Sequence, residues 1–335
     1  MATPAQQNAL ISHRVGLEHF SNGVVRKVLR HLSEVEADVT NALHRGGDIR
    51  TKAKLQKQLQ VIHDLQKEGE QVLRGIAEEG LSSAVLAEAH FLDDFYTEGK
   101  GPSQLFDYPS ASTLVAGALA EPLANKHLEA WIRKLTNDQI REVNRQIRIG
   151  VTLGEGIDTV VKRLGGSIGA FGADSVWARS KRSAETFVRT GVSHVSNQAH
   201  KIFIDNNADV FAEWVHVSVL DSRTSDICQS LAGHVYDRAE DVEWPPLHPA
   251  CRSTIIGVPK GTSAKSLKFD TFEDWLKRQS PAKIHQILGP ARSRLYLEGK
   301  IKADRFFNNK NHMLTLEELK AQNKGVWTRA FGNDN

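Results

Sequence analysis

Residues 210–228, VFAEWVHVSVLDSRTSDIC, contain the point at which the sequence pattern changes along this chain. Residues 210–220 are rich in β-branched and aromatic side chains, and their second half alternates apolar residues with His216 and Ser218. Such alternation predicts a β-strand. The following residues, up to about Pro259, are rich in turn formers, which predicts short elements. The stretch therefore indicates a small strand-containing module.

The two hundred residues before this stretch carry a helical pattern instead. Apolar residues recur at steps of three and four in two series, so each series forms an apolar stripe along one helix. Gly46 and Gly47 separate the series and predict a turn, hence an antiparallel helical hairpin; a coiled coil with another subunit is the alternative. The first series is Leu17, Phe20, Val24, Val28, Leu32, Val35 and Val39, and the second is Leu55, Leu59, Ile62, Leu65, Val72 and Ile76.

Turn-forming residues predict where the next helices begin and end. The sequence Thr136-Asn-Asp-Gln139 fits a capping box and predicts a helix start. A short helix is expected at 157–164, and a longer one from Asp174 to about Asn206. The predicted breaks are Gly99–Ser103, Asp107–Ser110 with helix resuming near Ser112, Gly150 with Gly154 and Gly156, and Gly165–Gly166.

Beyond Lys260, the GTSAKS sequence at 261–266 resembles a flexible linker, and a second box-like sequence, Thr271-Phe-Glu-Asp274, predicts the return of helix in pieces to about residue 323. The fold class expected is α+β, predominantly α-helical. Four segments are predicted: an N-terminal helical hairpin region at 1–110, a helical region at 111–206, a small α+β motif module at 207–260 and a helical C-terminal tail at 261–335.

Composition excludes several classes of protein. Of the 335 residues, 25% are charged and 40% hydrophobic, as in an ordinary folded domain. A net charge of +3 does not mark the whole chain as a nucleic-acid binder. Two cysteines exclude a disulfide framework. The first twenty residues lack the apolar core of a signal peptide, and no stretch approaches the roughly 20 apolar residues of a membrane span, so cytoplasmic synthesis is expected.

The residues after the predicted strand contain the candidate site. The Asp221 carboxylate is expected to accept backbone N–H groups in a turn, and Arg223 to pair with it or with a neighbouring carboxylate. Thr224 is expected to cap a short helix that runs through Cys228.

Cys228, His248 and Cys251 invite a zinc hypothesis, because thiolate and imidazole are the ligands that zinc prefers. Prolines hold 244–249 extended, and His248-x-x-Cys251 has ligand spacing. A structural zinc site needs four ligands, and the sequence does not choose the fourth among His234, Asp226, Asp221 and His216. The favoured alternative needs no cofactor: His248 donates to a backbone carbonyl and both cysteines are buried as small apolar residues. A Cys228–Cys251 disulfide is a third possibility, disfavoured in a reducing compartment.

Taken in order, these blocks resemble the phage Mu F-like minor head protein family, also called the phage head morphogenesis family. The family pattern runs D-x-R-T, a Cys four residues on, a Gly, P-P-x-H and a C-R pair. Further similar blocks, including Arg189 and Thr190 upstream, extend the resemblance over about 150–320. Ser225 and Ser253 stand where many relatives have cysteines, which excludes a four-cysteine site. The matching residues are Asp221, Arg223, Thr224, Cys228, Gly233, Pro245, Pro246, His248, Cys251 and Arg252.

The resemblance implies a non-enzymatic minor capsid protein of a tailed phage or prophage. Its implied partners are the portal protein, the major capsid protein or both. It would be present in multiple copies in the virion, at the head or portal vertex, after assembly in the host cytoplasm, and could leave with the DNA. One alternative is an ejected nuclease or toxin-like enzyme; a catalytic centre built on Asp221, Cys228 and His248 would act through a Cys–His nucleophile pair. Another is an internal protein that contacts packaged DNA through Arg179, Lys181, Arg182, Arg189, Lys300, Lys302 and Arg305.

Overall fold

A computed structural model of the chain describes residues 4–47, 51–97, 106–166 and 175–332. The predicted turn at Gly99–Ser103 and the predicted helix start at Asp174 lie outside these residues. The fold is predominantly α-helical α+β, which confirms the expected class. No described helix is long and apolar enough to cross a membrane. The elements are α1 (Pro4–Gly46), α2 (Lys52–Thr97), α3 (Ala111–Ala120), α4 (Leu128–Thr152), α5 (Ile157–Leu164), α6 (Val176–Asn206), β1 (Phe211–Val217), α7 (Asp226–Leu231), β2 (Val235–Tyr236), β3 (Thr254–Pro259), α8 (Ala264–Leu267), α9 (Phe272–Leu276), α10 (Pro281–Leu297), α11 (Leu316–Gln322) and α12 (Lys324–Phe331).

The chain packs as two compact units that do not follow sequence order. The first unit combines residues 1–15, 92–108 and 203–335, and the second combines 16–91 and 109–202. Whether the four segments predicted from sequence behave as domains stays a prediction.

The second unit contains the predicted helical hairpin. Gln58 Nε2 in α2 donates to the Ala42 carbonyl in α1 at 2.7 Å, and His31 Nε2 lies 2.8 Å from the Gly69 carbonyl. Residues of α1 that lie farther from the turn thus contact residues of α2 that also lie farther from it. The two helices therefore run antiparallel about the turn at Gly47. The apolar stripes of the two helices share a core with α4 and α6, which includes Val24, Val28, Leu32, Leu73, Ile132 and Phe187.

The predicted helix start at Thr136 is wrong. Helix α4 begins at Leu128 and runs without a break to Thr152, with Thr136 and Gln139 buried inside it. A capping box satisfies free N–H groups only at a helix end, whereas the stripe Ile132, Val143 and Ile147 continues past the box and packs against the hairpin. Gln139 instead accepts a 3.2 Å hydrogen bond from Gln66.

The other predicted boundaries within the described residues of this unit are confirmed, except that the break expected at Gly150 is wrong, because α4 continues through Gly150 to Thr152. Helix α3 begins at Ala111, where the Ser110 hydroxyl accepts from Thr113 N at 3.1 Å. Helix α4 ends before Gly154, which has a φ of +70°, and α5 spans Ile157–Leu164. A residue at positive φ leaves the helix, and glycine does so without strain from a Cβ.

The first unit is built on a three-stranded antiparallel sheet of order β2-β1-β3. The strand predicted within 210–220 is confirmed as β1, the central strand. Its alternation does not separate an exposed from a buried face, because His216 and Ser218 are 0% and 6% exposed. A central strand covered on both faces buries its polar residues as well.

Aromatic side chains from distant parts of the chain cover this sheet. The Tyr96 ring stacks on Phe203 at 5.1 Å and lies 5.5 Å from Phe211. The Tyr96 hydroxyl donates to the Gly257 carbonyl at 3.3 Å and accepts from Gly257 N at 3.1 Å. A Cβ at Gly257 would lie 2.5 Å from the Phe211 ring, so this strand position needs glycine.

The C-terminal tail is helical, as predicted. The Thr271 hydroxyl accepts from Asp274 N at 3.1 Å and begins α9, while Gly289 interrupts α10 with a φ of +73°. The predicted linker at 261–266 is wrong in its second half, because α8 begins at Ala264. There the Glu213 carboxylate accepts from Ala264 N at 2.6 Å, and Leu267 is buried.

Candidate functional site

A tight turn follows β1 at Asp221. As expected, the Asp221 carboxylate accepts from Arg223 N, at 2.7 Å. Its own backbone N donates to the Thr224 hydroxyl at 2.8 Å, and that hydroxyl donates to the Val219 carbonyl at 2.8 Å. The Arg223 guanidinium lies 3.2 Å from the carboxylate but is 64% exposed. The turn is therefore fixed mainly by backbone hydrogen bonds.

The prediction that Thr224 caps the short helix is wrong. Helix α7 begins at Asp226, and the capping hydroxyl belongs to Ser225, which accepts from Cys228 N at 3.3 Å. The Thr224 hydroxyl is already engaged in the Asp221 turn, so the next hydroxyl residue takes the capping position.

Arg252 closes the turn from the other side of the loop. Its two terminal nitrogens donate to the two Asp221 oxygens at 2.7 and 2.6 Å, and its side chain is only 14% exposed. Burial acts to raise the pKa of Asp221, but hydrogen bonds from Arg252 and from Arg223 N hold that pKa well below its usual range. A bidentate pair of this kind fixes both distance and orientation. The sequence motif contains both Asp221 and Arg252, but its pattern does not indicate that they form a pair.

A residue from the start of the chain also contacts this loop. Arg14 is 4% exposed, and its guanidinium donates to the carbonyls of Arg252 at 3.4 Å and Ser253 at 3.3 Å. The Ser253 hydroxyl lies 3.0 Å from that of Ser218, which donates to the Cys228 carbonyl at 2.8 Å. Nothing in the local sequence around Arg14 signals this role, because the contact spans 238 residues.

The structure brings the three candidate metal ligands together. The sulfur atoms of Cys228 and Cys251 are 3.6 Å apart, and His248 Nε2 lies 3.2 Å from the Cys228 sulfur. These ligand atoms all lie within 4.8 Å of one another, and we call the three residues the Cys–His cluster. Both cysteines are free thiols and 2% exposed, whereas His248 is partly exposed.

Hydrogen bonds favour charge separation within the Cys–His cluster. The Cys228 thiol, His248 and the backbone N–H groups of Ser253 and Leu247 lower the pKa of Cys251, although burial opposes them. The pKa of Cys228 is raised, by its hydrogen bond to Cys251 and by burial. The pKa of His248 is also raised, first by its hydrogen bond to Cys251. These hydrogen bonds thus favour the charged form of Cys251 over that of Cys228.

Among the described residues, none of the four candidates for a fourth ligand lies within the Cys–His cluster. The Asp221 carboxylate is bound by Arg252, and that of Asp226 accepts from Met313 N at 3.1 Å. His234 is exposed and lies edge-on to Tyr236 at 4.6 Å. His216 is fully buried, and neither ring nitrogen has a hydrogen-bond partner. Burial lowers the pKa of His216 to about 4, so the ring is neutral.

The glycine and the prolines of the motif shape the loops around the cluster. Gly233 has a φ of +74° and donates its N–H to the His216 carbonyl at 2.9 Å, which returns the chain from α7 to the sheet. Pro245 and Pro246 are joined by a cis peptide bond, and Pro245 is buried. They precede the His248 turn, in which Cys251 N donates to the His248 carbonyl at 3.2 Å.

Arg189 and Thr190 lie on α6, in the second unit. Arg189 pairs with Glu185 at 2.8 Å, one turn earlier on the same helix, and the Thr190 hydroxyl donates to the Thr186 carbonyl. Two neighbouring cations are also paired: Arg179 with Glu142 at 3.0 Å and Lys181 with Glu36 at 2.7 Å. Much of the positive charge on this helix is therefore neutralised within the unit.

Comparison with known proteins identifies one match. The family model described as Phage Mu protein F like protein matches residues 141–256, from within α4 to within β3. No curated protein and no solved structure gives a significant match. The matched residues include the Asp221 turn, Arg252 and the whole Cys–His cluster. Residues 141–256, about a third of the chain, are thus similar to Phage Mu protein F like proteins, in agreement with the resemblance found in the sequence.

Proposed function

We propose that this chain is a minor capsid protein that acts in head assembly and stays in the virion, at the portal vertex or inside the shell. The observation that carries the proposal is the Mu F-like match, because it covers the ion-paired and cysteine-containing loops as one continuous segment. Assembly in the host cytoplasm, contact with the portal or major capsid protein, and exit with the DNA belong to the same proposal.

The geometry supports a structural role over an enzymatic one. A Cys–His nucleophile pair needs a sulfur that a substrate can reach, and both sulfurs belong to residues that are 2% exposed. The surrounding polar groups hold loops together: Arg252 binds Asp221, and Ser218 binds the Cys228 carbonyl. We therefore propose that the site shapes a binding surface and catalyses no reaction.

DNA contact is a weaker candidate. A protein that neutralises phosphates needs cations without nearby carboxylates, because counterion release drives the binding. Arg179, Lys181 and Arg189 each lie within 3.0 Å of a carboxylate oxygen. Binding to DNA would have to break these pairs first.

The experiment is to find the chain in particles. Proheads and virions of the phage or prophage that encodes it would be purified, quantified by mass spectrometry and imaged by cryo-EM without imposed symmetry. We expect a few copies per particle beside the portal or on the inner shell. Absence from both particle types, with free protein in the lysate, would refute a virion role and favour the enzymatic alternative.

A matched pair of variants tests the site within the same assay. Asp221→Asn breaks the ion pair to Arg252, whereas Glu298→Gln breaks an exposed pair with Arg294 on α10. We expect fewer filled or infectious particles with Asp221→Asn and unchanged numbers with Glu298→Gln. Equal particle yields from both variants would show that head assembly does not need the Asp221–Arg252 ion pair.

A further inference from the structure

The separations within the Cys–His cluster are close to those of a tetrahedral zinc site. Two thiolates that bind one zinc ion at about 2.3 Å lie about 3.8 Å apart at the tetrahedral angle. The sulfurs of Cys228 and Cys251 are 3.6 Å apart. Imidazole nitrogen and thiolate sulfur on one zinc lie about 3.6 Å apart, and His248 Nε2 is 3.2 Å from the Cys228 sulfur. Small shifts would place all three atoms around one ion.

The orientation of His248 is a second, independent observation. Its Nδ1 lies 2.9 Å from the Pro249 carbonyl, which can only accept a hydrogen bond. Nδ1 therefore carries a proton, and Nε2 faces the sulfurs. Zinc-bound histidines almost always donate their other ring N–H to a carbonyl or carboxylate, which fixes the ring. The structure already has this arrangement.

The backbone around Cys251 is a third observation. The N–H groups of Leu247 and Ser253 donate to its sulfur, and His248-x-x-Cys251 is closed by the 3.2 Å bond from Cys251 N to the His248 carbonyl. This closed turn holds the two ligand residues in the His-x-x-Cys spacing of zinc sites. No carboxylate of the described residues joins the cluster, so its chemistry suits zinc and does not suit calcium or magnesium.

We propose that Cys228, His248 and Cys251 bind one zinc ion, with a water molecule in the fourth position on the partly exposed side of His248. The hydrated ion releases water ligands and gains two Zn–S bonds and one Zn–N bond, while the protons still held on the ligand atoms pass to solvent. The ligands come from α7 and from the loop before β3, so the ion clamps these segments together. The proposal does not depend on the role of the protein in the virion.

The test uses the full chain, reduced and freed of metal by a chelator. After addition of Zn²⁺ and desalting, we expect one zinc per chain by mass spectrometry of the metal. Added Co²⁺ should give the visible bands of tetrahedral cobalt and a near-ultraviolet thiolate charge-transfer band, and Zn²⁺ should abolish both. Cys251→Ser and His248→Gln should weaken binding by about tenfold or more, because losing even an outer-shell partner costs about 10–100-fold.

A matched control is His234→Gln, which alters an exposed histidine of the same module and should bind like the native chain. Circular dichroism checks that each variant folds. If a cysteine variant does not fold, the zinc content of the native chain and its cobalt–thiolate charge-transfer band still test the proposal. The proposal is overturned if the folded, reduced native chain retains no zinc and gives no thiolate band. It is equally overturned if both cysteines are found in a disulfide in protein from the native host.

Discussion

Replacement of Asp221 by asparagine tests whether the ion pair with Arg252 holds the motif module. Asparagine keeps the shape of the side chain but removes its charge and one of its two acceptor oxygens. The native carboxylate accepts from Arg252 at 2.7 and 2.6 Å and from Arg223 N at 2.7 Å. The variant therefore leaves part of a 14% exposed guanidinium without its partner.

The expected loss follows from these contacts. Removing one partner from a buried ion pair costs about 3–5 kcal/mol, and one hydrogen bond to a charged group contributes about 1.5–3 kcal/mol. Asp221 is 33% exposed, so solvent screening reduces the larger figure. We expect Asp221→Asn to lower the free energy of unfolding by about 2–3 kcal/mol.

Urea unfolding measures this loss, and hydrogen exchange with mass spectrometry locates it. We expect faster exchange in β1 and β3, which flank the turn, and unchanged exchange in α4. Glu298→Gln, which breaks an exposed pair, should leave both measurements unchanged. A double variant with Arg252→Gln should cost little more than Asp221→Asn alone, because the two residues share one interaction.

The pH dependence of the loss in stability is a second test of the ion pair. The pKa of Asp221 is lowered in the fold, so its contribution to stability is present above the unfolded value of about 3.9 and is lost as the pH falls below it. The difference between native chain and variant should therefore stay constant down to about pH 5 and shrink as the pH falls toward 3. A loss under about 0.5 kcal/mol at neutral pH, or a pH-independent difference, would show that the Asp221–Arg252 ion pair does not hold the module.

Two further predictions concern single residues of the same module. Gly233→Ala should destabilise the fold by about 1–2 kcal/mol or more in thermal unfolding, because Gly233 has a φ of +74° and an added Cβ would lie 3.1 Å from the Thr271 side chain. The control Gly261→Ala changes a glycine with a φ of +81° and open space around it, and it should cost less. An equal cost for both variants would show that contact with Thr271 does not matter. His216→Leu should stabilise the protein near pH 5, because the buried ring has a pKa of about 4 and the unfolded chain takes up a proton below about pH 6.5. The gain should fall as the pH rises through 6.5, and a gain independent of pH would assign it to packing instead.

Sequence periodicity predicted the elements whose cause is local. The stripe from Leu17 to Val39 predicted the hairpin, because 3.6-residue spacing is a property of the helix itself. The capping-box pattern at Thr136 gave a wrong helix start, because it lies inside a helix that tertiary packing stabilises. The prediction of the residue that caps α7 was also wrong. The hydroxyl of Thr224 and that of Ser225 can each cap a helix, and the bond from Asp221 N decides which of them is free to do so.

The sequence predicted which residues form the candidate site better than it predicted which of them bond to one another. Ligand spacing selected His248 and Cys251, and residue chemistry added Cys228, but the Asp221–Arg252 fork joins residues 31 positions apart. The contacts of Arg14 with Arg252 and of Tyr96 with Gly257 cross 238 and 161 residues. No local pattern encodes such pairs, because they arise only when the chain has folded.

These distant contacts determine which fragments of the chain can stand alone. Tyr96 binds both backbone groups of Gly257, and the ring of Phe106 stacks on Phe211 at 5.8 Å. The segment shared with the family, 141–256, includes neither Tyr96 nor Phe106, and it draws on both compact units. During synthesis, the end of α2 leaves the ribosome about 160 residues before the strand that completes its hydrogen bonds. The segment matched by the family model therefore contains β1 but not Tyr96 and Phe106, whose rings pack against Phe211 of that strand.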